Sequence, residues 1–468
     1  MIWASFKKGA CLRGHACAIQ SDGGQTSYSE ILQRVDALAK TIGRDRIAGG
    51  SRVLLAQTEP LALLLSVLAC WSIGLVPVIS REGRSSEGLA DLQKSLERAT
   101  LSENKTKFAN CDTQICAGQF QPRDEALVIC TSGTTGSPKL VALSAESVLI
   151  NIQTIASKLS LQSNDLVAVV TPLTYMYGLF GGTLSTLWAG ATVRLFALDA
   201  PPPVVLRAVR SEGVSVIQGP PSLWRLFFAY WNGKAFPGVR LVTIGGESTE
   251  SNLMDQLGIA FPHATRVLLY GMTEAGPRIS HRTYGMVSEN CNVVGTPFEH
   301  LDWYIDPIEQ GCLPAGTGRL VLRGPTVFMG YIQDDGGYTG LDTDGYFHSN
   351  DLVRIDPQGQ MHFVDRFDRI FKSRGKLVSP NEVEAVLLEY AAIKEAACHK
   401  EPHEIFGFVL AAQIVLHDDA NVSISQIRAH CAVSLQPHSI PKRFDFLDSF
   451  PNSNSGKRQP QPTTKAWM

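Results

Sequence analysis

The chain has 468 residues, 44% of them apolar and 18% charged, with a formal net charge of −2. Such a length calls for two or three cores, and the composition is that of a soluble globular protein. The even charge balance, without a basic tract, argues against a nucleic-acid partner, and the ten cysteines, scattered without a CxxC pair, favour reduced thiols in the cytoplasm over a disulfide framework.

The start, MIWASFKKGACLRGH, has no continuous apolar stretch, so no signal peptide is expected. The run LALLLSVLACWSIGLVPVIS at 61–80 is uncharged and as long as a membrane span. Gly74 and Pro77 divide it, and it reads as a buried helix, a turn and a short strand. The polar segment 100–122 reads as surface loop. Beyond it, strand-like runs at 126–130, 165–170, 191–196, 214–219, 239–247 and 265–274 alternate with helix-like stretches, two of them near 178–189 and 204–213. That alternation predicts a parallel sheet with helical crossovers, whose ligands sit beyond the carboxyl ends of the strands. The character changes after about 345. LVRIDPQGQMHFVDR (352–366) reads as a hairpin. In SPNEVEAVLLEY (379–390), Ser379 is a candidate N-cap, Pro380 takes the first helical position and Glu382 completes a capping box. FGFVLAAQIVL (406–416) reads as buried strand. A domain boundary is placed near residues 365–368, with a small α+β unit after it.

The stretch CTSGTTGSPKLV (130–141) lies between two apolar runs. Its glycines, hydroxyls and single lysine suit a phosphate cradle, yet the GxxxxGK[ST] spacing of a Walker A loop is absent. Alone it reads equally well as a polar surface loop. LYGMTEAG (269–276) follows a predicted strand and offers Glu274, a hard oxygen ligand of the kind magnesium takes. Asp351 precedes a strand, Arg366 and Asp368 stand at the predicted boundary, and Lys457 follows Ser-Gly near the end. Each is weak by itself, since a turn Asp is usually a cap and a tail Lys usually solvated.

In this order and spacing these segments resemble the adenylate-forming superfamily: acyl-CoA synthetases, nonribosomal-peptide adenylation domains and luciferases of the firefly type. The resemblance runs from about 25 to 460 and is most specific at 131–139 and 270–274, then across 366–384. VGTPF, GTGRLVLRGPTVFMGY and Ser455-Gly-Lys457 also match. It implies an α/β fold with a large N-terminal acyl- and ATP-binding domain (1–365) of mostly parallel sheets and crossover helices. A small mobile α+β domain (366–468) would carry Lys457.

The implied reaction uses ATP and Mg2+ to convert a carboxylic acid into an acyl-adenylate, then passes the acyl group to a thiol. By resemblance, Thr131, Ser132, Gly133, Thr134, Thr135, Gly136 and Lys139 hold the triphosphate. Glu274 and Thr135 serve the metal, and Thr273 approaches the α-phosphate. Gly246, Glu247 and Tyr270 flank the adenine, while Asp351 and Arg366 hold the ribose. Lys457 bridges the α-phosphate and the substrate carboxylate. Asp368 is the hinge, and Gly375 lies on the thiol channel. The family's Thr-Gly-Asp is Ser349-Asn350-Asp351 here, and its Gly-Glu is Gly318-Arg319.

By resemblance residues 171–190 line the acyl pocket, with Tyr175, Tyr177, Gly178, Phe180, Gly245 and Gly271 as candidate lining residues. No charged residue occurs between Asp165 and Arg194, and Tyr177 stands where amino-acid-activating members carry an aspartate. An ammonium buried there without a counter-charge would cost several kcal/mol, which favours a non-amino acid, although a carboxylate from another segment could serve. The aromatics suggest a flat or apolar acyl group; they read equally as core. Coenzyme A is the expected acceptor, with a phosphopantetheine carrier protein acting in trans, or an amine, as alternatives.

Overall fold

The computed structural model describes residues 1–43, 49–55, 59–80, 104–107, 113–117, 124–131, 139–247, 249, 251–285, 292–308, 313–373, 376–403, 407–417, 420 and 422–450. Short β-branched runs build its first sheet. The strand order is Ser280–Tyr284, Thr265–Tyr270, Leu241–Gly245, Val216–Gly219, Leu166–Val169, Thr192–Leu195, Cys17–Ser21 and Gly24–Ser27. The two edge pairings are antiparallel and the inner ones parallel. Inner strands such as Leu166–Val169 and Leu241–Gly245 are buried throughout, which is why they read as continuous apolar runs. Helices Pro202–Ser211, Pro221–Ala229 and Ser251–Ala260 make the crossovers.

The second sheet is mixed. Its order is Tyr338–Thr339, Gly330–Ile332, Lys139–Ser144, Glu125–Thr131, Val76–Ile79, Arg52–Leu55, Thr113–Ala117 and Asn104–Lys107. The last two strands correct the reading of 100–122 as loop. Thr113–Ala117 pairs antiparallel with Arg52–Leu55, and Asn104–Lys107 adds the edge. An edge strand is held by backbone groups and tolerates lysine, so polarity alone did not exclude it. The uncharged run at 61–80 forms the helix Pro60–Ser72, a turn through Gly74 at φ 74°, and the strand Val76–Ile79. No helix among the described residues is long and apolar enough to cross a membrane.

A five-stranded antiparallel sheet follows, in the order Val293–Gly295, Met361–Arg366, Phe347–Ile355, Gly318–Arg323 and Asp302–Pro307. The expected hairpin is its Phe347–Ile355 and Met361–Arg366 pair. Beyond it, Ile393–His403, Gly407–Leu416 and Arg443–Phe446 form a three-stranded sheet with helices Pro380–Leu388 and Ile424–Ser434. These elements bury a core of their own that includes Val383, Leu387, Leu410, Ile414 and Ile427. The capping box at 379–382 forms in one direction: Ser379 Oγ accepts from the Glu382 N–H at 3.2 Å and donates to Asp365 at 2.6 Å. The reciprocal box joins Ser423 and Gln426.

Candidate active site

The phosphate-loop candidate bridges two paired strands. Thr131 ends one, Lys139 begins the next, and the two are register partners. The Thr131 hydroxyl donates to the Lys139 carbonyl at 3.4 Å, so the base of the loop is fixed. Ser132, Gly133, Thr134, Thr135 and Gly136 lie outside the described residues, as do Gly375 and Lys457. Gly330–Ile332 pairs with Lys139–Ser144, with Tyr331 opposite Val141, two residues from Lys139. Lys139 Nζ stands 4.7 Å from the centre of the Tyr331 ring, and the Tyr331 hydroxyl donates to Glu274 Oε1 at 2.8 Å. Burial, reinforced by the Glu274 carboxylate, pushes the Tyr331 hydroxyl well above its ordinary range, so it stays a donor. Glu274 sits in the single turn Thr273–Ala275, after the strand Thr265–Tyr270. Its carboxylate is a hard oxygen donor linked through Tyr331 to the loop's lysine, which fits a magnesium–phosphate site.

Tyr270, at the end of that strand, links the same turn to the antiparallel sheet. Its hydroxyl donates to Asp351 Oδ2 at 2.7 Å in a buried contact. Burial and the Asp351 charge raise the Tyr270 hydroxyl well above its usual value. Asp351 and Arg366 face each other in register, 3.7 Å apart, and Arg366 also forks onto Asp368 at 3.2 and 3.1 Å. Burial works against the Arg366 charge, but Asp368, Asp351 and Glu274 outweigh it and raise the group. Ser349 receives the Asp351 N–H at 3.2 Å, so the Ser-Asn-Asp variant holds its own turn.

At the neighbouring strand end, a Cβ on Gly245 would lie 2.4 Å from the Leu269 carbonyl oxygen, and Gly246 takes φ 88°. The Glu247 carboxylate accepts from the Ser222 N–H at 3.0 Å and from its hydroxyl at 2.8 Å, at the start of helix Pro221–Ala229. A Cβ on Gly271 would meet the Pro277 carbonyl at 2.2 Å, so the chain folds tightly back after Tyr270.

The stretch expected as helix near 178–189 is a π-helix, Tyr177–Leu184, running into α-helix Ser185–Ala189. Such wide turns are rare and occur often at functional sites. Gly178 is buried, where a Cβ would lie 2.4 Å from the Thr171 carbonyl. Tyr175 is half-buried, and Phe180 is fully buried in the main core. The Tyr177 hydroxyl lies 2.7 Å from Thr243 Oγ1. Its ring faces Arg278, whose guanidinium carbon is 4.6 Å from the ring centre. The sequence reading missed Arg278, the one charge in AGPRIS, and passed over the roles of Gln218 and Tyr331. Only the lone cation four residues after Glu274 could have pointed to it.

Comparison with known proteins places this geometry. Residues 82–332 match the model of the AMP-binding enzyme family, and residues 382–457 match the AMP-binding enzyme C-terminal domain. A feruloyl-CoA synthase of Amycolatopsis sp is 28% identical over 469 residues, covering 95% of this chain and 94% of the relative. Among solved structures, o-succinylbenzoate CoA synthetase (MenE) of Bacillus subtilis, in complex with the acyl-adenylate OSB-AMP, superposes with a TM-score of 0.80. It is 22% identical, and the match covers 97% of this chain and 96% of that one. ATP-bound MatB of Rhodopseudomonas palustris gives 0.82 at 21% identity, covering 98% and 97%. The family model spans more than half of the sequence, its partner model spans the C-terminal unit, and the chain belongs to the AMP-binding, adenylate-forming enzyme family.

Proposed function

We propose that the chain is an acid–thiol ligase that activates a non-amino carboxylic acid with ATP and transfers the acyl group to coenzyme A. One observation carries the reading: two polar chains meet at the end of one strand. Lys139–Tyr331–Glu274 lies on the phosphate side, and Tyr270–Asp351–Arg366 on the other, with Tyr270 and Glu274 four residues apart. That juxtaposition suits a nucleotide held at both its ribose and its phosphates.

In the first half-reaction an oxygen of the ionised substrate carboxylate attacks the α-phosphorus. The bond to the β-phosphate breaks, and pyrophosphate leaves. No general base is needed; the demand is to hold two anions in line and neutralise the developing charge. The 131–139 loop would grip the leaving pyrophosphate, with Lys139 at its base. Glu274 would hold Mg2+, which supplies charge neutralisation at the phosphates. Asp351 would accept from the ribose hydroxyls, and Arg366 would orient that carboxylate. Tyr270 and the Gly245–Glu247 backbone would flank the base.

In the second half-reaction the thiolate attacks the acyl carbon and AMP departs with the C–O electron pair. We assign Lys457 to the first step, Asp368 to the hinge and the loop at Gly375 to thiol entry, with residues 366–468 as the moving unit. The ten scattered cysteines, without a CxxC pair, suit a reducing compartment, and we place the enzyme in the cytoplasm. The test is acid-dependent ATP–pyrophosphate exchange, followed by product identification with coenzyme A, a holo-carrier protein and amines. Exchange with no carboxylic acid would overturn the reading; exclusive transfer to a carrier or an amine would overturn the acceptor.

A further inference from the structure

Arg278 is 5% exposed. Its Nη1 donates to the neighbouring Pro277 carbonyl at 3.1 Å, while Nε and Nη2 have no hydrogen-bond partner among the described residues. No carboxylate among the described residues pairs with it. Its compensation is the face of Tyr177, 4.6 Å away. Gln218 stands at the same place: its amide nitrogen donates to the Gly181 carbonyl at 2.9 Å, and its Oε1 is also without a partner. A Cβ on Gly181 would lie 2.7 Å from Arg278 Nη2 and 3.1 Å from Gln218 Oε1, so the glycine admits the guanidinium to the wall of the π-helix. Burial pushes the Arg278 guanidinium down to about 10, which leaves it charged at neutral pH.

Buried charges in folded proteins are paired, and each unsatisfied buried donor calls for a partner. This one lies against Tyr177 and Gly181 of the segment read as the acyl pocket, beside Gln218 near the end of the strand Val216–Gly219. We infer that Arg278 is a specificity-determining cation, and that the substrate is a carboxylic acid bearing a second carboxylate at its far end, which pairs with the free edge of the guanidinium. This rests on the proposed carboxylate activation. The near carboxylate becomes the acyl-adenylate; the far one keeps its charge throughout. Gln218 is placed to reach the same group.

The experiment is ATP–pyrophosphate exchange on the whole chain with matched pairs, each a diacid and its monomethyl ester, from succinate to longer aliphatic and aryl diacids. For at least one pair the diacid should exceed its half-ester by about a hundredfold or more in kcat/KM, the scale expected when one partner of a buried, hydrogen-bonded charge pair is lost. Arg278→Met should remove that preference and raise the relative rate of the half-ester, whereas Arg278→Lys should keep part of it. Half-esters or simple monoacids matching every diacid would overturn the proposal and leave carboxylate activation standing. An Arg278→Met variant that folds, by thermal melting, and keeps the wild-type ratio would also overturn it. Exchange with no acid of either set would remove the activation reading and the proposal with it. Should Arg278→Met not fold, the wild-type ratios decide alone.

Discussion

Removing one oxygen atom, in Tyr331→Phe, tests how the two halves of the phosphate side are joined. The variant keeps the ring under Lys139 Nζ, 4.7 Å away, and loses only the 2.8 Å bond to Glu274. A hydrogen bond to a charged group contributes about 1.5–3 kcal/mol. At about 1.4 kcal/mol per factor of ten, kcat/KM for MgATP should fall roughly ten- to a hundredfold. Loss of an outer-shell partner of a metal ligand has a cost on the same order, about 10–100-fold. Tyr331→Leu removes the ring as well and should add about 0.5–1 kcal/mol from the lost cation–π contact. The assay is the initial rate of pyrophosphate release at saturating acid, with ATP and magnesium varied independently and thermal melting as the control for folding. The apparent magnesium requirement should rise, and excess magnesium should restore part of the rate. A Tyr331→Phe enzyme within about twofold of wild type at subsaturating magnesium, or a deficit that magnesium does not touch, would refute the assignment of Glu274.

Lys457→Ala should lower adenylate formation by about a hundredfold or more, as expected for a group that stabilises transition-state charge, while largely sparing transfer from preformed acyl-AMP; equal loss of both steps would contradict the proposed hinge. Glu125→Ala should lower stability by about 3–5 kcal/mol in urea unfolding, because it removes the carboxylate that balances the buried Arg52 charge. Arg52 now meets the carboxylate at 2.7 and 2.9 Å, with side chains only 0% and 5% exposed. Asp165→Asn should cost about 1–3 kcal/mol at pH 7. Burial would raise the Asp165 carboxyl, but Arg240, the Gln162 N–H and the Ser215 hydroxyl outweigh it and hold it low. A depressed acid stabilises the fold above its unfolded value and loses that contribution as pH falls. The gap between wild type and Asp165→Asn should therefore close below about pH 4, as followed by denaturant midpoints.

The central strands were legible because both their faces are buried, so Leu166–Val169 and Leu241–Gly245 announce themselves by apolar content alone. Asn104–Lys107 was not, because an edge strand is held by its backbone and its composition is that of a loop. The same division holds at the site. Tyr270, Glu274, Asp351 and Arg366 are recognisable as motif positions, and the fold brings them together across 81 residues of sequence between Tyr270 and Asp351. Side-chain engagement is set by tertiary contacts that periodicity cannot carry. The Glu247 carboxylate is turned onto Ser222, 25 residues earlier. Phe180 belongs to the main core, and an apolar aromatic in an apolar run gives no signal that separates core from pocket.

The electrostatics of the site bear on which acids it admits. Glu274 is engaged by Tyr331, Glu247 by Ser222 and Asp351 by Tyr270 and Arg366. None of these carboxylates faces the Tyr177 ring; a guanidinium does, at 4.6 Å. The ammonium of an α-amino acid placed near that ring would meet a cation. At about 4 Å and an effective dielectric near 20, two like charges repel by about 4 kcal/mol, or roughly a thousandfold in affinity. The missing aspartate at the position of Tyr177 withholds an attraction; Arg278 adds a repulsion. Discrimination against a competing substrate is sharper when a site opposes it than when it merely fails to welcome it. On the proposed placement of the acyl group, the charge that would reject an ammonium would also reward an anion. Exclusion of amino acids and preference for a second carboxylate would then be two consequences of one buried side chain.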